Sequence, residues 1–273
     1  MIQRIVDKQQ SLKEFTDNAC AQASFCFAYL LKNKEIKVNG KKTGENIILQ
    51  AGDTVQYYLT QKQQEKPAFY PVYEDEHVLI IDKESGVNSE AVFTALAEKY
   101  ENCRFIHRLD RNTKGLMVFA LDERSEQTLL NVFKHHSLEK KYHVLCFGTF
   151  PKEKEVLTAY LKKNAEKSLV YVYDTPVGGA ERIVTEYTVL QTGQGVSKAE
   201  ICLHTGKTHQ IRAHLAHIGC PVVGDMKYGN ALQNKSRGVA RQCLVAKSLR
   251  FSFENHLAYL NKKQFVSRFD VEI

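Results

Sequence analysis

Beyond residue 71 the chain is dominated by short segments rich in β-branched and aromatic residues, and this pattern most constrains its fold. The segments are HVLIID, LMVFAL, YHVLCFG, LVYVYD, IVTEYTVL and AEICLH. Helical periodicity is sparser and predicts helices over residues 91–100, 125–133 and 208–218. Runs of strands with few helices predict an α+β domain built on a mixed, largely antiparallel sheet. The regular alternation of strands and helices that indicates a parallel α/β fold is not seen.

A polar segment, TQKQQEKPAFYP at residues 60–71, contains two prolines and predicts a boundary between two domains. We place the smaller domain at residues 1–66 and the larger one at residues 67–273. Because the linker is polar, we expect few contacts to cross this boundary.

The smaller domain is predicted to contain helices followed by short strands. Leu12, Phe15 and Ala19 have helical spacing, and IKVNG and TVQYYL are strand-like, with Asn39-Gly40 as a tight turn. Over roughly residues 11–60 this order resembles the S-four-like RNA-binding domain, which is named after a ribosomal small-subunit protein. The resemblance implies RNA binding. An accessory domain that does not grip RNA is the alternative, since residues 12–31 contain only one basic side chain, Lys13.

Charge and cysteine usage indicate the cellular setting. The chain has 38 Lys and Arg against 31 Asp and Glu, a net charge of +7 that is compatible with a nucleic-acid partner without establishing one. The seven cysteines are scattered and form no C-x-x-C pair, as expected for reduced thiols in the cytoplasm. The start MIQRIVDKQQ lacks the apolar run of a signal peptide, and no stretch approaches the ~20 apolar residues of a membrane span. We therefore expect a cytoplasmic protein with no membrane partner.

The first candidate site is RFIHRLDRNTKG, a charged segment at residues 104–115 that an apolar strand follows directly. Asp110 lies in its centre, with Arg108, Arg111 and Lys114 close in sequence. Nearby positive charge favours the ionised carboxylate, which suits a nucleophile or a base better than an acid. An ordinary surface loop with salt bridges is the alternative interpretation.

The second candidate site is HTGKTHQIRAH at residues 204–214, where a strand ends and a helix is predicted to begin at about Thr208. Helix N-termini favour phosphate, and Lys207, His209 and Arg212 add donors there. His209 and Arg212 are three residues apart and share a helical face. A solvated basic helix start is the alternative.

A metal site on the same helix is a further possibility. His214 and His217 are three residues apart, and His209 is close in sequence. Metal sites usually add Cys or carboxylate ligands at characteristic spacings, and this helix offers neither. We predict no metal and no other cofactor.

The third candidate is Tyr142 in KKYHVL, at the start of a predicted strand. Its ring could stack on a base or its hydroxyl could donate a hydrogen bond. A tyrosine that opens a strand is also commonly a packing residue.

Together these segments resemble the RluA-type pseudouridine synthase family over residues 75–255. HRLDRNTKGLMVFA resembles the catalytic segment of that family, HTGKTHQIRAHLAHIGCPVVGDMKYG its second long signature, and KKY its tyrosine segment. The resemblance implies an isomerase that converts uridine to pseudouridine in structured RNA without a cofactor. Ribosomal RNA is the favoured substrate, with transfer RNA as the other possibility. It implies a pseudouridine synthase fold that acts as a monomer with no obligate protein partner.

Residue roles follow from the matched positions. The resemblance implies that Asp110 is the catalytic carboxylate, that Tyr142 stacks on the target base, and that Arg212 pairs with the aspartate. Arg108 would hold the RNA open around a flipped nucleotide. The other RNA-binding residues that we predict are His107, Lys207 and His209.

The sequence departs from the family pattern at two places. Lys83-Glu84-Ser85-Gly86-Val87 stands where the family usually has K-P-x-G-L, and no His-Pro follows. Leu244-Val245-Ala246 stands where it often has L-H-A. These changes concern the pocket wall and the identity of the substrate. The alternative function is a non-catalytic RNA-binding protein that keeps the fold, and a metal-dependent hydrolase is the weaker rival.

Overall fold

A computed structural model describes residues 1–135 and 137–273, which form two compact units. The first unit is Met1–Arg111 with Met117–Glu126, and the second is Asn112–Leu116 with Gln127–Ile273. This division does not coincide with the boundary predicted after residue 66. Within the described residues, no helix is both long and apolar enough to cross a membrane.

The first unit combines a small sheet with the beginning of a larger one. Its strands are β1 (Ile2–Ile5), β2 (Gln10–Ser11), β3 (Ile36–Val38), β4 (Lys41–Thr43), β5 (Ile48–Leu49), β6 (Thr54–Tyr57), β7 (Phe69–Glu74), β8 (Val78–Lys83) and β9 (Arg104–Phe105). Its helices are α1 (Leu12–Ala19), α2 (Ala21–Phe25), α3 (Phe27–Lys32), α4 (Gln61–Gln64) and α5 (Ser89–Ala97).

The N-terminal part of this unit follows its sequence signals. Helix α1 begins after Ser11, whose hydroxyl accepts the N–H of Glu14, and it buries Leu12 and Phe15 as the spacing predicts. The small sheet has the order β1-β6-β3-β4. Asn39 and Gly40 both have positive φ, 49° and 79°, and form the tight turn between β3 and β4.

Two elements are divided between the units, β10 (Lys114–Ala120) and α6 (Glu123–Lys134). In the first unit, β7 pairs antiparallel with the fully buried strand β8, and β9 pairs antiparallel with the end of β10. Phe93 of α5 packs on this layer, with its ring 5.4 Å from Phe105, which lies 6.1 Å from Phe119. These aromatic contacts fix α5 beside the strand that precedes the Asp110 segment.

The second unit is a broad antiparallel sheet with one helix packed on it. Its other elements are β11 (Leu138–Phe147), β12 (Lys154–Asn164), β13 (Leu169–Tyr173), β14 (Glu181–Gly193), β15 (Val196–Leu203), α7 (Gln210–His217), α8 (Ala231–Ser236), β16 (Leu244–Phe251), a 3-10 turn at Ala258–Leu260 and β17 (Gln264–Val266). The strand order is β13-β12-β14-β15-β11-β16, with β17 added to β16. Lys114 and Gly115 of β10 pair parallel with Val245 and Ala246, so the sheet is mixed.

The prediction of an α+β fold on a mixed, largely antiparallel sheet is therefore confirmed. Each of the six strand-like segments falls in a strand, and each predicted helix is present within two or three residues. Strand β12 was not predicted, because EVLTAYL lacks the strict alternation of a half-buried strand.

The prediction of few contacts across residue 66 is wrong. Arg111 forms an ion pair with Asp17 and donates to the carbonyl of Ser24 at 3.2 Å. Asn18 accepts hydrogen bonds from Asn88 at 3.0 Å and from Thr94 at 3.2 Å. The polar composition of residues 60–71 describes the linker alone, whereas these contacts are made by α1 and α2, far from it in sequence.

Candidate functional site

The backbone on the N-terminal side of Asp110 is fixed by a buried serine. Ser89, the first residue of α5, is fully buried. Its hydroxyl accepts the N–H of Leu109 at 2.9 Å and donates to the carbonyl of Leu109 at 2.9 Å. Both backbone groups of the residue before Asp110 are thus held by one side chain.

The backbone on the C-terminal side of Asp110 is fixed by a buried lysine. The Nζ of Lys83 donates to the carbonyls of Glu84 at 3.0 Å, Val87 at 2.9 Å and Arg111 at 3.2 Å. The N–H of Gly86 donates to the same Arg111 carbonyl at 2.8 Å. Complete burial lowers the pKa of Lys83 to about 7, although the charge of Asp110 opposes the shift.

These two anchors leave Asp110 between residues whose backbone positions are determined by the core. A catalytic carboxylate needs such support, because misplacement by about 1 Å costs much of the rate. Neither Lys83 nor Ser89 was predicted as a site residue. Lys83 had a visible signal, since it retains the Lys of the K-P-x-G-L segment.

The two predicted RNA contacts before Asp110 lie in different surroundings. The Nε2 of His107 accepts the N–H of Val118 at 3.1 Å, so this ring is tied to a buried strand. The side chain of Arg108 is 68% exposed and forms an ion pair with Glu90 at 3.1 Å. Arg108 is therefore the more accessible of the two to an external ligand.

Packing explains why Thr113 and Gly115 follow Asp110 in the motif. The hydroxyl of Thr113 accepts a hydrogen bond from Gln242 at 2.6 Å, and both residues are buried. Gly115 has φ +113°, and a Cβ there would lie 2.3 Å from the carbonyl oxygen of Ala246. Only glycine permits the close approach of β10 to β16 at this point.

Arg212 forms a buried bidentate ion pair with Asp225. Its Nε and Nη2 lie 2.6 Å and 3.0 Å from the two carboxylate oxygens. Oδ1 of Asp225 also accepts the N–H groups of Lys227 at 2.8 Å and Tyr228 at 3.1 Å. Burial alone would raise the pKa of Asp225, but Arg212 and these N–H groups hold it below its usual value. The pair fixes the orientation of the guanidinium.

Tyr228 completes this arrangement. Its ring lies 5.2 Å from the Arg212 guanidinium, and its hydroxyl is 2.8 Å from Nδ1 of His209. The same hydroxyl accepts the N–H of Val170 at 2.9 Å. His209 is therefore held against Tyr228, and its predicted contact with RNA remains a prediction.

The sequence predicts that helix α7 begins at about Thr208, but it begins at Gln210. His209 has φ 54° and stands outside the helix. The buried side-chain oxygen of Gln210 accepts the N–H of Lys207 at 3.1 Å, which stabilises the preceding turn in a non-helical form. The ammonium of Lys207 forms an ion pair with Glu181.

Both glycines of GDMKYG lie where a larger side chain would clash with the backbone. Gly224 has φ +77°, and a Cβ there would lie 2.0 Å from the carbonyl oxygen of Arg241. A Cβ on Gly229 would lie 2.3 Å from the carbonyl oxygen of Asp225. The segment is thus folded tightly around the carboxylate that binds Arg212.

Tyr142 lies in β11 between Ile201 of β15 and Ala246 of β16, and the pairing with β16 shifts by a bulge next to it. It is half-buried and packs against the apolar cluster that includes Ile211 and Leu215 of α7. Its ring therefore lies on the side of the sheet that α7 covers. A bulge at such a position re-aims a side chain without ending the strand.

His214 and His217, the candidate metal ligands of α7, have other partners. Nδ1 of His214 lies 3.0 Å from the hydroxyl of Thr185, and burial lowers the pKa of His214 to about 4. His217 pairs with Asp174 at 2.7 Å. Among the described residues, one cluster has ligand-like geometry, Glu186, Cys202 and His204, but Glu186 pairs with Lys154 at 2.9 Å. The absence of a metal remains a prediction.

Comparison with known proteins identifies the family to which the chain belongs. The model of a family described as RNA pseudouridylate synthase matches residues 63–217, more than half of the chain. The chain belongs to this family. The resemblance to RluA-type pseudouridine synthases is thereby confirmed, and the reaction of the family is the isomerisation of uridine to pseudouridine in RNA.

The similarity extends along most of the chain. A Mycoplasma pneumoniae protein described as an uncharacterized RNA pseudouridine synthase is 32% identical over 88% of this chain and 82% of its own length. The Vibrio cholerae ribosomal large subunit pseudouridine synthase C is 27% identical over 81% of this chain and 78% of its own length. The structure of human RNA pseudouridylate synthase domain containing 1 matches with a TM-score of 0.61 and 26% identity, covering 68% of this chain and 79% of that one.

The structure of this pseudouridine synthase also shows which residue the sequence analysis missed. Asp225 lies within GDMKYG, and the sequence alone predicts no role for it. The available signal was a carboxylate between two glycines. Glycine is needed at both positions because the backbone folds closely around this carboxylate, where a Cβ would clash. The partner of this carboxylate, Arg212, was predicted.

Proposed function

We propose that this pseudouridine synthase modifies a uridine in ribosomal RNA and that Asp110 is its catalytic carboxylate. The observation that carries the proposal is the fixation of the residues on both sides of Asp110, by Ser89 and Lys83. Such preorganisation is unnecessary for a surface salt bridge. The ribosomal substrate is supported by the printed names of relatives such as the Vibrio cholerae synthase C.

The chemistry that we infer divides among three residues. Asp110 acts as a nucleophile or base on the target nucleoside while uracil is detached, rotated and rejoined through carbon 5. Tyr142 stacks on the uracil and limits its motion during rotation. Arg212, whose guanidinium is oriented by Asp225, is proposed as the basic partner of the catalytic carboxylate. A uridine in folded RNA must be flipped out of its helix to reach the carboxylate.

RNA contacts complete the proposal. Arg108 is exposed and positioned to contact the strand around the flipped nucleotide, with His107, Lys207 and His209 as further contacts. Residues 1–66 are proposed to act as an S-four-like RNA-binding segment and residues 67–273 to carry the catalytic machinery. Both parts act in the cytoplasm.

The test is tritium release from large-subunit ribosomal RNA transcripts labelled at carbon 5 of uridine. We expect Asp110→Asn to abolish release while RNA binding and thermal stability are retained, because the change keeps shape and removes the charge. Asp174→Asn is the matched control, since Asp174 is exposed on the surface of the second unit. Activity of Asp110→Asn within about tenfold of wild type would contradict the assignment. Wild-type protein that binds RNA and releases no tritium would instead favour the non-catalytic alternative.

A further inference from the structure

One solvent-facing area of the second unit combines three tyrosines with two cations. Tyr160 of β12 pairs directly with Tyr173 of β13 and with Arg182 of β14, and Lys162 pairs with Tyr171. Directly opposed residues of antiparallel strands share a face, as do residues two apart in one strand. We call this set of five residues the tyrosine face.

The orientation of the tyrosine face is set by the residues that alternate with it. Leu161, Val170 and Ile183 are buried and belong to one apolar cluster with Ala213 of α7. The tyrosine face therefore lies on the opposite side of these strands, toward solvent. Tyr171 is 40% exposed, and Lys162 and Arg182 are exposed.

The two cations of the tyrosine face lack acidic partners in the described part of the chain. Neither Lys162 nor Arg182 is within ion-pair distance of a described carboxylate. The nearby carboxylates are engaged elsewhere: Glu181 pairs with Lys207, Glu186 with Lys154, and Asp174 with His217. The tyrosine face thus keeps an uncompensated positive charge.

We propose that the tyrosine face binds a single-stranded segment of the RNA substrate. The exposed ring of Tyr171 and the half-buried rings of Tyr160 and Tyr173 offer surfaces on which bases can stack. The adjacent Lys and Arg side chains can contact the phosphates. Duplex RNA cannot use the rings, because its bases are stacked on one another. This inference rests on the proposed function only in that the ligand is the same RNA.

The chain offers a matched control for the charge. Lys163 is adjacent to Lys162, is also exposed, and pairs with Val170, which faces the buried side. Lys162→Glu and Lys163→Glu change the net charge equally, but only the first reverses a cation of the tyrosine face. Tyr171→Ser tests stacking without changing the charge.

The experiment measures binding of the full chain to a fluorescent oligouridylate of about 12 nucleotides and to an RNA duplex of equal length. We expect Lys162→Glu and Tyr171→Ser each to weaken oligouridylate binding about fivefold or more, and Lys163→Glu to change it less than twofold. The Lys162→Glu variant should also show a smaller salt dependence of binding. Thermal melting of each variant confirms folding.

Three outcomes would overturn the proposal: equal effects of Lys162→Glu and Lys163→Glu, no effect of Tyr171→Ser in a folded protein, or tighter binding of the duplex. Because the oligouridylate assay needs no catalysis, it is independent of Asp110. Failure of the proposed function would appear as absent tritium release from wild type, with the binding differences intact.

Discussion

Lys83 is a charged residue without solvent exposure whose ammonium holds three backbone carbonyls next to Asp110. Burial of the Lys83 charge is unfavourable, and this lowers the pKa of Lys83 to about 7. The residue is tolerated because it satisfies carbonyl groups that a hydrophobic side chain would leave unpaired. Its function is to position the Asp110 segment.

This burial predicts how stability depends on pH. The pKa of Lys83 is about 7 in the folded protein and ~10.4 in the unfolded chain, so the unfolded chain binds more protons between these values. The Lys83 contribution to the free energy of unfolding therefore rises with pH across this window. We expect the difference between wild type and Lys83→Met to grow in favour of wild type by roughly 2 kcal/mol from pH 7 to pH 9. Urea unfolding of both proteins at the two pH values measures it, and a constant difference would show that Lys83 does not titrate there.

The Arg212–Asp225 pair allows structural and catalytic roles to be separated. Removing one partner leaves a buried charge uncompensated, so we expect Arg212→Ala to lose about 3–5 kcal/mol of stability. The double variant Arg212→Met with Asp225→Asn should recover most of that loss and remain inactive. Arg212→Lys should keep more activity than Arg212→Ala, because it retains the charge without the planar fork.

Urea unfolding and tritium release measured on all three variants provide the test. If the double variant regains both stability and activity, the guanidinium has no catalytic role. At this scale the sequence could predict Arg212, since motif and charge pointed to it. It could not predict which carboxylate orients Arg212, because Asp225 is 13 residues away, beyond the end of α7.

Among the elements, the contact of β10 with β16 is the most constrained. A Cβ on Gly115 would overlap the backbone of Ala246, so one strand cannot approach the other without glycine. We expect Gly115→Ala to destabilise the protein by more than about 3 kcal/mol, since both a clash and a positive φ are involved.

Gly219→Ala is the matched control for this prediction. Gly219 also has a positive φ, +82°, but no atom lies within 4 Å of an added Cβ. We expect it to cost only about 1–2 kcal/mol from the backbone conformation. Thermal or urea unfolding of the two variants isolates the clash, and equal losses would mean that β10 and β16 can separate freely.

The elements also show where sequence patterns stop being informative. Helices α5, α6 and α7 could be predicted because apolar spacing is local. Strand β12 was missed because the apolar residues Val156 and Tyr160 occupy outward positions, so its polar and apolar residues do not alternate. The parallel pairing of Lys114 with Val245 joins residues that are distant in sequence, and no local pattern encodes it.

For the whole molecule, the contacts of Asp17, Asn18 and Ser24 change what truncation should do. If few contacts crossed residue 66, the protein would stay folded without residues 1–66. Because these contacts reach Arg111, Asn88 and Thr94, we expect the truncated protein to melt at a lower temperature and to lose activity.

Circular dichroism melting and tritium release compare the truncated and full-length proteins. The double variant Asp17→Ala with Asn18→Ala is the control, since it removes the main contacts and leaves the segment in place. We expect it to lower the melting temperature in the same direction by a smaller amount. An unchanged melting temperature after truncation would show that the N-terminal segment is only an attached module.

The division of β10 between the two units has a consequence for the order of folding on the ribosome. Neither unit is continuous in sequence, since residues 112–116 belong with the C-terminal unit while residues 117–126 belong with the N-terminal one. The parallel bonds of Lys114 and Gly115 cannot form until Val245 and Ala246 have been synthesised. The residues directly after Asp110 therefore remain unpaired on that side until then, and we expect this late, long-range pairing to be a slow step in folding. We therefore expect a nascent chain to be inactive until Val245 and Ala246 have emerged.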